Sequence, residues 1–213
     1  MTDLDFFFDP VCPWAWITSR WVVEVQELRN YTVSWKFISL KILNQDKMDY
    51  ASMPAGYKDV HAAGTSCLRV AAKARSVAGN DAVAKVYTAL GFSLHNKQER
   101  ELFVADIEGH IAGLLSQAGL PVEWALSAND ESFDRLIADE TAMGLERAGK
   151  DVGTPIITFS PGGLKEASFF GPVISTIPRG EDATKLWDAI ETIATSSDMA
   201  ELKRSLRARP NFD

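Results

Sequence analysis

Cysteine is scarce in this chain. Cys12 and Cys67 are the only two in 213 residues, too few for the disulfide framework that staples small secreted domains. No apolar run approaches the roughly 20 residues that span a bilayer. The opening Met1-Thr2-Asp3-Leu4-Asp5 has neither a basic n-region nor an apolar h-region, so the expectation is a cytoplasmic protein with no membrane partner. Lys and Arg (22) are outnumbered by Asp and Glu (29), giving a net charge of −7. No basic run or basic face interleaved with aromatics stands out, which argues against a nucleic-acid partner. His61, His95 and His110 show no ligand spacing with acids or cysteines, so no metal site is expected. Internal repeats and low-complexity segments are absent as well. What the chain does have is 46% hydrophobic residues and six tryptophans, enough to bury a substantial core in one domain with an insertion or in two small domains.

The most informative stretch is Phe6-Phe7-Phe8-Asp9-Pro10-Val11-Cys12-Pro13-Trp14-Ala15-Trp16. Leu4 to Phe8, interrupted only by Asp5, reads as a strand covered on both faces. Pro13 suits the first position of a helix, where its missing N–H costs nothing, so Cys12 falls at or beside the N-cap among free amide donors. The helix dipole and those amides favour thiolate and can lower a cysteine pKa from about 8.5 to as little as ~3.5. Asp9-Pro10 and Pro13 force a turn at the end of the strand, where solvent is expected to reach the sulfur. One helical turn later, where a redox disulfide would place its second cysteine, stands Ala15.

From Pro13 to about Leu28, Trp14, Ile17, Trp21, Val25 and Leu28 form one helical stripe. Val33, Trp35 and Phe37 then alternate with polar residues as a second strand, and strand-helix-strand implies a parallel pair with a right-handed crossover. Between about Ser52 and Ala148 strand signals vanish, and helical spacing broken by Gly79-Asn80, Gly91, Gly119-Leu120-Pro121 and Asn129-Asp130 predicts four or five helices. Pro155 to Phe159 and Ala167 to Phe170 read as a hairpin. A helix carrying Leu186, Trp187 and Ile190 follows, and Asp198 with Glu201 resembles a capping box opening a last short helix.

This order, β-α-β, helical block, β-β-α, with a cysteine where the first strand meets the first helix, is what a thioredoxin fold with an inserted helical domain would show. The expected class is α/β, with a mixed central sheet, a discontinuous thioredoxin-fold domain at 1–50 and 149–213, and a helical insertion at 51–148. Through Phe8-Asp9-Pro10-Val11-Cys12-Pro13-Trp14, Asp151-Val152-Gly153-Thr154-Pro155, Phe169-Phe170-Gly171-Pro172-Val173 and Ile177-Pro178-Arg179-Gly180, the chain resembles the DsbA-like branch of the thioredoxin superfamily. Within it, the chain looks most like the cytoplasmic DsbA-like mycoredoxins and mycothiol-dependent nitroreductases.

The resemblance implies a thiol-disulfide oxidoreductase with Cys12 as nucleophile, Pro13 and Trp14 beside it, and a cis Pro155 whose loop exposes the Thr154 backbone to an incoming thiol or peptide. Asn44, Tyr57 and His95 match positions where the family's substrate pocket borrows residues. It implies no bound cofactor; a low-molecular-weight thiol, mycothiol by preference, serves as co-substrate, and proteins in mixed disulfide with it serve as partners. Nitro compounds or small electrophiles as substrates, and a homodimer, stay open. Family members carry cysteine at the Ala15 position, so this chain reads as a Cys-to-Ala form of Cys-Pro-Trp-Cys or as a natural monothiol variant, able to capture a disulfide but not to resolve it internally. Few basic residues surround Cys12 and Thr154, which leans toward mycothiol, while Arg179 and Lys165 keep glutathione in play. Cys67, in a helix among small apolar residues, reads as packing, with a resolving role only if it approaches Cys12. Two other readings stand beside this one. A kappa-class glutathione transferase or isomerase shares the insertion but generally carries serine at the Cys12 position. A non-catalytic thiol-binding protein would make Ala15 the mark of a lost activity.

Overall fold

A computed structural model describes residues 2–45, 48–196 and 198–213. In chain order the regular elements are β1 (Leu4–Phe8), α1 (Pro13–Arg29), β2 (Val33–Phe37), α2 (Leu40–Asn44), α3 (Tyr57–Ala78), α4 (Asn80–Gly91), α5 (Arg100–Ala105), α6 (Ile107–Gln117), α7 (Asp134–Ala148), β3 (Ile156–Phe159), β4 (Ala167–Phe170) and α8 (Gly180–Ala194). The chain forms two compact units, one of residues 1–8, 13–36 and 144–213, the other of residues 9–12 and 37–143. Among the described residues no helix is long and apolar enough to cross a membrane.

The first unit is built on a four-stranded mixed sheet of order β2-β1-β3-β4. β3 is antiparallel to both neighbours, with Phe6 opposite Ile157 and Ile157 opposite Phe169. β1 and β3 are buried along their whole length, as near-continuous apolar runs demand, whereas β2 alternates buried and half-buried residues. Asp5 interrupts the apolar run of β1, and Arg147 on α7 pairs with its carboxylate at 2.8 Å, which offsets part of the cost of burying it. Gly144, one helical turn before Arg147, has no room for a side chain: a Cβ there would lie 3.1 Å from the Phe7 ring.

α1 buries Ile17, Trp21 and Val25, the centre of the expected stripe, but leaves Leu28 half exposed where the helix runs out. The Trp21 indole N–H donates to the Ala183 carbonyl at 2.9 Å and its ring meets Trp187 edge-on, so α1 and α8 share an aromatic seam. The expected short helix after Asp198 does not form. Residues 199–213 are irregular, and the apolar side chains a helix there would bury, Leu202 and Leu206, are exposed, so nothing offsets the cost of nucleating it.

The second unit is helical. Between 52 and 148 the described residues contain α3 to α7 with short 3₁₀ turns, and α4 runs directly into a single π turn, Phe92–Asn96. Arg75 on α3 donates to Glu140 on α7 at 2.9 Å, and Glu140 also accepts from the Phe37 N–H at 2.8 Å, so a nearly buried carboxylate joins two helices to the end of β2. Arg69 holds Asp134 through two nitrogens, at 2.6 and 2.7 Å.

Candidate active site

Cys12 lies where the sequence predicts, in the residue directly before Pro13, the first of α1. The preceding four residues close a tight turn, with the Cys12 N–H donating to the Asp9 carbonyl at 3.0 Å. Cys12 is less open than expected: it is 4% exposed and Val11 5%. The reason is that this turn is fastened from two sides and packs inward instead of projecting.

One fastening is His95. Its Nε2 stands 2.8 Å from the Pro10 carbonyl, and because a carbonyl only accepts, that nitrogen carries the proton. The ring sits in the π turn, a backbone irregularity that often serves a site, and is 1% exposed. Burial, with Arg100 adding to it, holds its pKa down to about 4, so the imidazole is neutral at physiological pH.

The other fastening is Asp9, which the sequence shows only as a turn former. Its carboxylate accepts the Val11 N–H on Oδ1 at 3.0 Å and the Leu40 N–H on Oδ2 at 2.7 Å. It is fully buried, and desolvation raises its pKa to about 6 against the two backbone hydrogen bonds that lower it. Gly64 on α3 makes room for it: a Cβ there would lie 2.8 Å from Asp9 Oδ1 and 3.0 Å from Val11 Cγ2. The only sequence hint was an acid inside an otherwise apolar stretch followed by proline; its partners Leu40 and Gly64 are remote in the chain. Cys67, one helical turn after Gly64, is fully buried, and burial with the nearby Asp9 charge pushes its thiol pKa well up. Both cysteines are free thiols.

The remaining expected residues of this unit have other partners. Asn44 folds back on its own helix, its side chain donating to the Leu40 carbonyl at 2.9 Å. Tyr57 is 37% exposed and its ring rests on His61 at 4.6 Å between centroids. It lines an open cavity of about 420 Å³ with Val60, Arg100 and Val104.

In the other unit, Pro13 and Trp14 are half-buried on the first turn of α1, and Ala15 is fully buried behind them. The Arg207 guanidinium lies 6.0 Å from the Trp14 ring centroid. Trp16 is buried beneath Arg20 at 4.2 Å. Thr154 and Pro155 are buried just ahead of β3, and the peptide bond between them is cis. The Thr154 hydroxyl donates to the Phe7 carbonyl at 3.4 Å. Of the two cations that kept glutathione in play, Arg179 is paired with Glu24 at 2.9 Å and Lys165 is exposed.

Comparison with known proteins bears on this arrangement. Residues 11–204 match the Rv2466c-like family, described as mycothiol-dependent nitroreductase Rv2466c. A relative, "Uncharacterized protein Rv2286c" of Mycobacterium tuberculosis (strain ATCC 25618 / H37Rv), is 28% identical over 206 residues, covering 96% of this chain and 82% of that protein. Among solved structures, the cytosolic disulfide reductase DsbM of Pseudomonas aeruginosa superposes with a TM-score of 0.57 at 15% identity, over 90% of this chain and 99% of that one. DsbM has also been solved with GSH; that structure superposes at 0.50 and 16% identity, over 75% and 86% of the two chains. The "probable DsbA oxidoreductase SCO1869" of Streptomyces coelicolor gives 0.58 at 13% identity, over 94% and 92%. These structures share the DsbA-like thioredoxin fold with this chain. The chain belongs to the Rv2466c-like family of mycothiol-dependent nitroreductases and is an oxidoreductase of the DsbA type.

Proposed function

We propose that Cys12 is the nucleophile of a thiol-disulfide exchange in which a low-molecular-weight thiol, mycothiol by preference, is co-substrate. The observation that carries this reading is the place of Cys12 directly before Pro13 and the first turn of α1, with Ala15 one turn on. A sulfur there has the first amides of a helix and the positive end of the helix dipole beside it, which stabilise thiolate and improve it as a leaving group. The family match, and a fold neighbour solved with GSH, support a small thiol as the partner. Arg179 is already engaged by Glu24, which leaves less for the carboxylates of glutathione and favours mycothiol, a sugar conjugate recognised by hydrogen bonds and stacking.

The chemistry is a monothiol cycle. Cys12 thiolate attacks the mycothiol sulfur of a protein-mycothiol mixed disulfide; a Cys12-mycothiol disulfide forms and the protein leaves as thiolate. A second mycothiol thiolate then attacks the mycothiol sulfur held on Cys12, releasing mycothiol disulfide and restoring the Cys12 thiolate. Trp14 supplies a wall for the incoming group, and the backbone of Thr154 pairs with it as an extended segment. Asn44 and Tyr57 offer an amide and a phenol to the sugar. His95 serves through Pro10, since its own surface is buried.

Intact mass spectrometry after exposure to mycothiol disulfide tests this. The parent chain is expected to gain one mycothiol on Cys12 and keep it. An Ala15→Cys variant is expected to shed the adduct and end two hydrogens lighter than its reduced form, as the new thiol attacks Cys12. A parent chain that forms no adduct, together with a variant that forms no internal disulfide, would sink the proposal.

A further inference from the structure

We infer that Asp9 is a positioning residue for Cys12: its buried carboxylate clamps the turn that carries the nucleophile to the start of α2. This rests on the reading of Cys12 as the attacking thiol. Four observations carry it. Oδ1 takes the Val11 N–H, one residue before Cys12, at 3.0 Å. Oδ2 takes the N–H of Leu40, the first residue of α2, at 2.7 Å. The Asp9 carbonyl closes the same turn by accepting the Cys12 N–H at 3.0 Å. Gly64 leaves a space that any side chain would take from Oδ1.

A carboxylate with both oxygens on backbone amides fixes its own orientation and that of the amides. Taking it out of water is expensive, and among the described residues no Lys or Arg forms an ion pair with it. Among the described residues, the titratable groups around it include Cys12 at the end of the same turn, Cys67 on α3 and, through Pro10, His95 in the π turn with Arg100 near it. An acid in so costly a place is informative because both attacks run in line, but a large disulfide held against the protein must be met by the sulfur at a fixed angle, whereas a small alkylating agent turns freely to meet the sulfur. A held turn therefore matters to the first reaction and little to the second.

The test compares two second-order rates at Cys12 across pH 5 to 9, with mycothiol disulfide and with iodoacetamide, each read by intact mass. In the parent chain, disulfide attack is expected to fall below about pH 6 along a limb that iodoacetamide does not share, as Asp9 takes a proton and loses an acceptor. Asp9→Asn is expected to lose that limb and to attack the disulfide about tenfold more slowly at high pH, with the iodoacetamide plateau nearly unchanged. If Asp9→Asn does not fold, Leu40→Pro decides. Ser39 is already extended at φ −92°, ψ 118°, as a residue before proline must be, and proline is favoured at a first helical position. The new ring would stand where the Leu40 hydrogen bond now lies, breaking the clamp with Asp9 intact, and the same tenfold loss is expected. A folded variant that keeps the parent's disulfide rate and limb overturns the inference, as does a parent chain whose two profiles coincide. A parent Cys12 that reacts with iodoacetamide but never with mycothiol disulfide overturns the proposed function, and the clamp with it.

Discussion

The turn of residues 9–12 and the middle of α3 each carry one cysteine, and they differ in what the backbone offers the sulfur. Both residues are buried, Cys12 at 4% exposure and Cys67 at 0%, so access alone separates them little. Cys67 sits within a continuous helix, where every nearby amide is already bonded along the chain, and burial beside Asp9 pushes its thiol pKa well up. Cys12 sits just ahead of a helix, where the first amides lack intrahelical partners. The lesson is that place along a helix, more than depth, distinguishes an inert thiol from a nucleophile.

The largest effect should come from breaking that distinction directly. Cys12→Ser is expected to abolish turnover and adduct formation with mycothiol disulfide, while Cys67→Ser keeps both. Native labelling should modify Cys12 alone, with Cys67 labelled only after denaturation. Peptide mapping of alkylated protein checks the second point, and appreciable native labelling of Cys67 would erase the comparison.

A second prediction concerns the two groups that fasten the turn, because their pKa values move in opposite directions. Asp9 is raised from 3.8 to about 6, so between those values the folded state binds more protons than the unfolded one. Its contribution to stability therefore grows as pH falls through 6. His95 is lowered from 6.5 to about 4, so in that window the unfolded state binds more protons, and its contribution shrinks as pH falls. At about 1.4 kcal/mol per unit, each effect is on the order of 3 kcal/mol, and together they nearly cancel. Removing one should expose the other. Asp9→Asn is expected to lose roughly 3 kcal/mol more stability than the parent between pH 6.5 and 4, and His95→Asn to gain relative to the parent over the same range. Denaturant melts at several pH values give both slopes. Parallel slopes in the two variants would refute the assignment.

The sequence made the frame legible where a period was complete. β1 and β2 bury what their spacing predicts, α1 buries the centre of its stripe, and the hairpin of β3 and β4 follows its turn residues. Cys12 was found because a proline and an apolar strand bracket it within a few residues. Asp9 shows in the sequence only as part of the turn, because its role depends on Leu40 and Gly64, which no local pattern links to it. The same limit explains the missing last helix: Asp198 and Glu201 have the spacing of a capping box, but a cap cannot stabilise a helix whose apolar side chains find nothing to pack against. It also explains why Cys12 is more buried than a turn suggests, since the residues that draw the turn inward lie far along the chain.

The smallest expected effect sharpens the other side of the comparison. If Cys67 is only packing, its removal should cost stability and nothing else. Cys67→Ala deletes one buried sulfur and should destabilise by about 1 kcal/mol. Cys67→Ser keeps nearly the same shape but places a hydroxyl at a fully buried position of α3, which adds a further cost of about 1–3 kcal/mol wherever that hydroxyl lacks a partner. Serine should therefore be worse than alanine by chemical denaturation, although it is the closer match in size. The reverse order would mean that the hydroxyl finds an acceptor, either the Ala63 carbonyl one turn back on α3, as the Thr88 hydroxyl does with Ala84, or the Asp9 carboxylate, whose charge already acts on this thiol. In that case the surroundings of Cys67 would be polar, and the contrast between the two cysteines would rest on the helix terminus alone.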